Sequence, residues 1–343
     1  MTLLNARAEV VVEVGKVKRR DDVPIYAPHR EAEVLSRVLE ANEGPLPDRA
    51  VEGVYRELMS GSFAIEQPLR IGYLGPEGSF SHAAAAAHFG SSVSYEDARA
   101  IPGVLTEVAK GRLDYGLVPI ENSIGGGVTE TLDALGRAPE GVFVYGEVCL
   151  AVRHCVLAHD PPGELHTFHS RPEVFAQCRQ WLATQYPDAA LVASVSSSAA
   201  VSQVASARQP GHAAIGSALA GRLYGVNALF EGVEDDAGNV TRFYVIARQQ
   251  AAPSGDDKTA LMFAVPDEAG ALVDVLGVFR DAGVNLSHID KRPSGRQNWT
   301  YTFFADAVGH RDDAAMSRVL SMLPGVCSEL RVLGSYPRAR RIL

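Results

Sequence analysis

Cysteine is scarce in this sequence and does not pair. Cys149, Cys155, Cys178 and Cys327 form no CxxC, and their spacings of 6, 23 and 149 fit no zinc pattern. That argues against a disulfide framework and against a metal site. Basic residues are outnumbered, 32 against 41 acidic ones, for a net charge of −9. Such a chain lacks the basic face that non-specific nucleic-acid binding needs. A small anionic substrate would require a locally basic pocket. No apolar run reaches the length of a membrane span, and Ala83 to Ala87 falls far short. The opening MTLLNARAEVVVEVGKVKRR carries acids inside its apolar stretch, unlike a signal peptide. The expected setting is cytoplasmic, with neither nucleic acid nor membrane as partner. There is no internal repeat. Gly125–Gly127 lacks GxGxxG or Walker spacing, which weakens a nucleotide-binding reading.

What is present is an ordinary globular mix, 46% hydrophobic and 21% charged over 343 residues, enough for two or three domains. Helical spacing of apolar residues runs through 3–18, through Arg30 to Ala41, and through 48–66, with Pro28 suited to a helix start. At Leu69 the character changes. Arg70–Pro76 reads as a short strand entering a glycine turn, and Ser79 is placed to cap a helix at Ser81–Phe89. Strands and helices then alternate to about residue 248, which argues for an α/β sheet domain. Residues 249–257 read as a linker. Beyond it come a strand (259–265), a helix (270–282), strands near 285–292 and 299–305, a helix (312–323) and a strand near 329–336. That βαββαβ order is the ferredoxin-like pattern. The fold class expected is multidomain α/β, with an all-α first segment.

Four segments of the central region carry candidate chemistry. Gly75-Pro76-Glu77-Gly78-Ser79-Phe80-Ser81 is a strand-to-helix turn whose free N–H groups suit a carboxylate; a plain capped turn is the other reading. Val118 to Gly127 delivers Glu121, Asn122 and Ser123 from a buried strand into a triple-glycine loop. His169-Ser170-Arg171-Pro172 offers Ser170, either as a donor to a carboxylate or as a helix cap, with Gln177 and Cys178 on the helix behind. Asn239-Val240-Thr241-Arg242-Phe243 opens an apolar strand. Its Arg242 is a natural bidentate partner for a carboxylate, and Thr241 a hydrogen-bond donor.

The ordered set GPEGSFS, VPIENS, HS-x-P and NVTRF resembles the prephenate dehydratase family, over Ile71 to about Ala247. The resemblance implies a periplasmic-binding-protein-like fold of two lobes, residues 71–150 with 226–248 forming one and 151–225 the other. It implies prephenate as substrate, losing CO₂ and water to give phenylpyruvate in phenylalanine biosynthesis, with no cofactor. It assigns Thr241 the central catalytic role. The chemistry asks for a donor to the leaving hydroxyl and for oriented donors to two carboxylates. Thr241, aided by Glu121 as proton relay, and Arg242 are the expected catalytic groups; Ser79, Asn122, Ser123, Ser170 and Phe243 are the expected substrate contacts. Arogenate dehydratase, whose substrate carries an amine instead of the keto group, is an alternative within enzymes. A non-catalytic amino-acid or solute sensor is the alternative outside them.

Residues 1–67 resemble the helical chorismate mutase, with Arg7, Lys18, Arg30, Glu31, Ser62 and Glu66 at that family's active-site positions. The family's first helix begins well before Leu3 and lends an arginine to a partner subunit. Ala27 also stands where the family has an acid. The resemblance makes chorismate a second candidate substrate; these departures point to weakened or lost mutase activity, and a dimerisation module is the other reading. Residues 259–337 resemble an ACT domain, the amino-acid-sensing module. Gly270, Ala271 and Leu272 match its GAL segment, and Asp290-Lys291-Arg292-Pro293 stands in place of its Glu-Ser-Arg-Pro. With Asn285, these residues imply L-phenylalanine as effector. ACT pairing and the helical segment imply a homodimer or homotetramer.

Overall fold

The structure is a computed structural model that describes residues 1–21, 23–294 and 301–343. Three helices come first: α1 (Thr2–Arg20), α2 (Pro28–Glu40) and α3 (Asp48–Glu66). α1 ends in Lys18, Arg19 and Arg20, cations at the negative end of the helix dipole. Pro28 occupies the first turn of α2, where its missing N–H costs no bond.

The central domain is two sheets. The first lobe is built from β1 (Arg70–Tyr73), α4 (Phe80–Phe89), β2 (Ser94–Asp97), α5 (Ile101–Ala109), β3 (Tyr115–Asn122), β4 (Gly126–Gly127), α6 (Thr129–Gly136) and β5 (Phe143–Ala151). The chain then crosses to the second lobe. That lobe holds β6 (Cys155–Ala158), β7 (Thr167–Ser170), α7 (Pro172–Gln177), α8 (Arg179–Gln185), β8 (Ala190–Ala193), α9 (Ser197–Ala207), β9 (His212–Gly216), α10 (Ala218–Tyr224) and β10 (Asn227–Glu231). It returns to the first lobe as β11 (Val240–Ala247). The sheet orders are β2-β1-β3-β11-β5, with β4 on β3, and β10-β6-β9-β7-β8. The lobe boundary anticipated at 226 is thus corrected. β10 pairs antiparallel with β6 and completes the second sheet, so the return crossing lies after Glu231.

The last domain runs β12 (Asp257–Ala264), α11 (Ala271–Asp281), β13 (Leu286–Pro293), β14 (Tyr301–Val308), α12 (Ala314–Met322) and β15 (Glu329–Pro337), in sheet order β13-β14-β12-β15. The expected strand from 299 begins on residues outside those described. This is the ferredoxin-like arrangement.

β11 organises the packing because successive side chains leave opposite faces of a strand. Phe243, Val245 and Ala247 join a core with α4 and with Ile25 and Tyr26 of the helical segment. Tyr244 and Ile246 join another with α5, α6 and Ala260, Met262, Phe304 and Leu333 of the last domain. The first lobe is therefore clad by the helical segment on one face and by the ferredoxin-like sheet on the other.

Tyr26 seals the first of these junctions. It is almost fully buried, its carbonyl accepts from the hydroxyls of Tyr115 and Tyr145, and its own hydroxyl meets His88 Nε2 at 2.7 Å. Residues after β15 run along the same lobe: Leu343 N donates to Cys149 O, Ala151 N donates to Leu343 O, and Arg341 pairs with Glu52 of α3. Among the described residues no helix is long and apolar enough to cross a membrane.

Candidate active site

β1 and β3 are parallel, so the turn leaving β1 and the loop leaving β3 lie at one end of the first sheet. β11 is antiparallel to β3 and starts at that same end. Register pairs Thr241 with Asn122 and Arg242 with Glu121. The Asn122 amide holds the centre. Its Oδ1 accepts the N–H groups of Ile124 and Gly125 at 3.1 and 2.8 Å. Its Nδ2 donates to Thr241 Oγ1 at 2.9 Å and to Asn239 Oδ1 at 2.7 Å. Thr241 is thus an acceptor towards Asn122, and its own proton remains to be given elsewhere.

Ser79 does what its spacing suggested. Its hydroxyl accepts from His82 N at 3.2 Å, capping α4, and donates to Leu74 O. The second lobe closes on this turn. Ser217 Oγ donates to Gly78 O at 2.6 Å, Ser198 Oγ to Glu77 O, and Tyr224 OH to Glu77 O. Gly78 has φ +78°, and a Cβ there would stand 2.9 Å from Ala220, so only glycine fits this contact without a shift. His82 stacks on Tyr73 at 4.4 Å between ring centres, and burial lowers its pKa.

Other expected contacts fall elsewhere. Ser123 Oγ donates to Gly238 O and accepts from Val240 N, bracing the loop against β11. Ser170 is fully buried in β7 and donates to Ile215 O at 2.7 Å. It neither caps α7 nor faces a ligand, because its hydroxyl is spent inside the sheet. Phe243 is buried in the core beneath Thr241 rather than against substrate.

Arg242 is the largest correction. It emerges on the face opposite Thr241 and meets three carboxylates. Nη1 reaches Asp306 at 2.6 Å and Glu147 at 3.2 Å, and Nε reaches Glu121 at 3.1 Å. Lys258 adds a second cation on Glu147 at 2.8 Å. Burial works against the Arg242 charge, but Tyr244, Asp306, Tyr336 and Glu147 outweigh it and raise its pKa. Its Nε and Nη1 are thus engaged by protein carboxylates, while Nη2 is buried without a hydrogen-bond partner. Glu121 is engaged with Arg242 and makes no direct hydrogen bond to Thr241 among the described residues.

Sequence reading missed Glu147, Asp306 and His154. A lone acid inside an apolar strand, as in VYGEVCLA and TFFADAV, was the available signal for the first two.

The helical segment brings all its expected residues together. Arg7, Lys18, Arg30, Glu31, Ser62 and Glu66 line one cavity of about 420 Å³. Arg7 donates to Ser62 Oγ at 2.7 Å, and Lys18 pairs with Glu66 at 2.7 Å. Glu31 pairs with Arg56 at 3.2 Å; burial raises its pKa against that partner's pull. Tyr145, Gln250 and Ala252 complete the wall from outside the helices.

The ferredoxin-like domain divides its expected residues between two faces. Gly270 (φ +92°) precedes α11, and Ala271 and Leu272 open it. Asn285 sits just before β13, where its carbonyl accepts from Val308 N. Pro293 is exposed at the far end of that edge strand. Asp290 and Arg292 turn to the first lobe instead. Arg292 makes a bidentate pair with Asp133 at 2.8 and 2.9 Å. A Cβ on Gly127 would lie 2.1 Å from Asp290 Oδ2, so a larger residue there would have to turn the Asp290 carboxylate aside. Among the described residues no group of His, Cys, Asp and Glu is arranged to hold a metal ion.

A hydroxyl set where two α/β lobes meet, flanked by a helical pocket and a ferredoxin-like module, defines the class: a multidomain enzyme with a two-lobed catalytic domain. Residues 71–251 match the prephenate dehydratase family, 1–67 chorismate mutase type II and 259–321 the ACT domain. A bifunctional chorismate mutase/prephenate dehydratase of Stutzerimonas stutzeri is 39% identical over 99% of this chain and 94% of its own length. A prephenate dehydratase from Arthrobacter aurescens, solved in complex with L-Phe, has TM-score 0.73 and 31% identity, covering 79% of this chain and 90% of that one. GqqA, described as a novel type of quorum quenching acylase, also has TM-score 0.73, with 27% identity over 79% of this chain and 98% of that one. The chain belongs to the bifunctional chorismate mutase/prephenate dehydratase family.

Proposed function

We propose that Thr241 is the hydrogen-bond donor to the departing hydroxyl of prephenate in its conversion to phenylpyruvate. The observation that carries this is the Asn122 amide, which donates to Thr241 Oγ1 and leaves the threonine proton for a ligand. In the reaction the bond to the ring carboxylate breaks and its electron pair enters the ring. The ring C–O bond breaks in concert, CO₂ leaves, and the departing hydroxide takes up a proton as water. Aromatisation supplies the driving force. A threonine hydroxyl is a weak acid, so Thr241 stabilises the leaving oxygen, and solvent restores any proton it gives. The first-turn N–H groups of α4 offer a positive end to a carboxylate.

The helical cavity, with Arg7, Lys18 and Arg30 on its walls, suits the dicarboxylate chorismate, whose rearrangement needs a compact bound shape. Its product is the substrate of the next domain. Phenylalanine is the effector read at the ACT domain. A homodimer or homotetramer is supported by exposed Leu3, Val10 and Val17 on α1 and by exposed Val273 and Ile289 on the ACT domain. The proposed compartment is the cytoplasm.

The test is phenylpyruvate formation from prephenate by the purified chain, with and without phenylalanine. Thr241→Val should lower kcat by about 10²–10⁴-fold with little change in KM. Equal turnover by this variant would remove Thr241 from the chemistry.

A further inference from the structure

We propose that His154 and Gln177 are positioning residues for the Thr241 hydroxyl and tie its orientation to the hinge between the lobes. The lobes are joined by two crossings, between β5 and β6 and between β10 and β11. His154 lies on the first and Asn239 on the second. A side-chain chain of hydrogen bonds runs from Thr241 through both. Asn122 Nδ2 donates to Thr241 Oγ1 (2.9 Å) and to Asn239 Oδ1 (2.7 Å). Asn239 Nδ2 donates to Gln177 Oε1 (3.3 Å), and His154 Nε2 meets that same oxygen at 2.8 Å.

The polarity of this chain follows from one anchored end. Two backbone N–H groups on Asn122 Oδ1 decide which way its amide points. Asn239 must then turn its oxygen to Asn122 and its nitrogen to Gln177, since a flipped amide would set donor against donor. Gln177 must present oxygen, so His154 must carry its proton on Nε2. His154 Nδ1 is then a bare acceptor, and it is buried without a hydrogen-bond partner. Glu234 accepts the His154 backbone N–H at 2.8 Å and fixes the main chain there, while Phe80 packs against the imidazole at 5.3 Å between ring centres. Phe80 belongs to the turn on which the second lobe closes. Burial also lowers the His154 pKa, which keeps the ring neutral and this tautomer available at neutral pH.

The consequence is that Asn122 is oriented from both sides, by its own loop and by a relay rooted in the second lobe. Removing the relay leaves Asn122 held only by its own loop, so that its Nδ2 can swing away from Thr241 Oγ1. Small misplacements of that kind lower turnover more than binding. The inference rests on the dehydratase reading above.

The experiment is a double-mutant cycle with prephenate. Gln177→Met and His154→Phe should each lower kcat about 10–100-fold, with KM within about threefold of wild type. Neither should lower kcat further in a Thr241→Val background. Thermal midpoints show which variants are folded; if His154→Phe is not, half-exposed Gln177→Met carries the test. Unchanged kcat, a loss confined to KM, or full additivity with Thr241→Val would overturn the proposal. A wild-type chain that does not turn over prephenate would overturn the dehydratase reading itself, a distinct result.

Discussion

The Arg242 guanidinium lies 2.6 Å from Asp306, so the strand that carries Thr241 is bonded through its very next residue to the ACT sheet. Tyr244 OH adds a second bond to Asp306 at 2.6 Å, again from β11. Breaking a buried pair from one side leaves an uncompensated charge and costs about 3–5 kcal/mol. Asp306→Asn should therefore lower the thermal midpoint by several degrees. The KM for prephenate should stay within about threefold, since Asp306 holds Arg242 from the ACT side of β11. A large rise in KM at an unchanged midpoint would return Arg242 to the binding site.

A second bridge joins the same domains at the effector motif. The Arg292–Asp133 pair is partly exposed, and such pairs contribute about 1 kcal/mol or less. Asp133→Ala should leave stability and uninhibited kcat nearly unchanged. It should shift the phenylalanine concentration for half-inhibition by about fivefold or more, because an effector acts only through its different affinities for two states. A superimposable dose–response curve would show that this contact carries no coupling.

The two activities should separate cleanly. Lys18 lines the helical cavity and pairs with Glu66, far from Thr241 in the chain. Lys18→Ala should reduce chorismate consumption about 10²–10³-fold, the loss expected for one electrostatic donor. Phenylpyruvate formation from added prephenate should be unaffected. Parallel loss of both would mean that the substitution acts through folding.

His88 sets an acid limit on the junction sealed by Tyr26. Burial, reinforced by Arg56, depresses its pKa to about 3. An unfolded histidine takes up its proton below about pH 6.5, whereas this one stays neutral until about pH 3. The unfolded state thus binds more protons across that window, and stability falls as pH drops through it. Denaturant midpoints at pH 7 and pH 5 should differ less in His88→Gln than in wild type. An identical difference would show that other groups set the acid sensitivity.

Much of this was legible in the chain. The Ser79 cap, the βαββαβ order and the six residues of the helical cavity all stand where spacing or resemblance put them. Thr241 and Arg242 were both assigned to the substrate, although consecutive residues of a strand face opposite ways. Strand alternation could not say which face holds ligand, because both faces of β11 are buried. Arg242's partners Glu147 and Asp306 lie 95 and 64 residues away, and only the packed domains bring them together. Ser170 was misread for a local reason. A serine before Pro172 looks like a cap, but β7 extends through it and consumes its hydroxyl. The lobe boundary slipped because β10 is short and pairs back to a strand about 70 residues earlier, which periodicity does not reveal.

The helical cavity borrows part of its wall from Tyr145, Gln250 and Ala252. Residues 1–67 produced alone would have a breach on that side. Water would enter beside Lys18 and Glu66 and weaken the electrostatic grip that enclosure strengthens. Rates measured on such a fragment would understate what the same residues do in the whole chain.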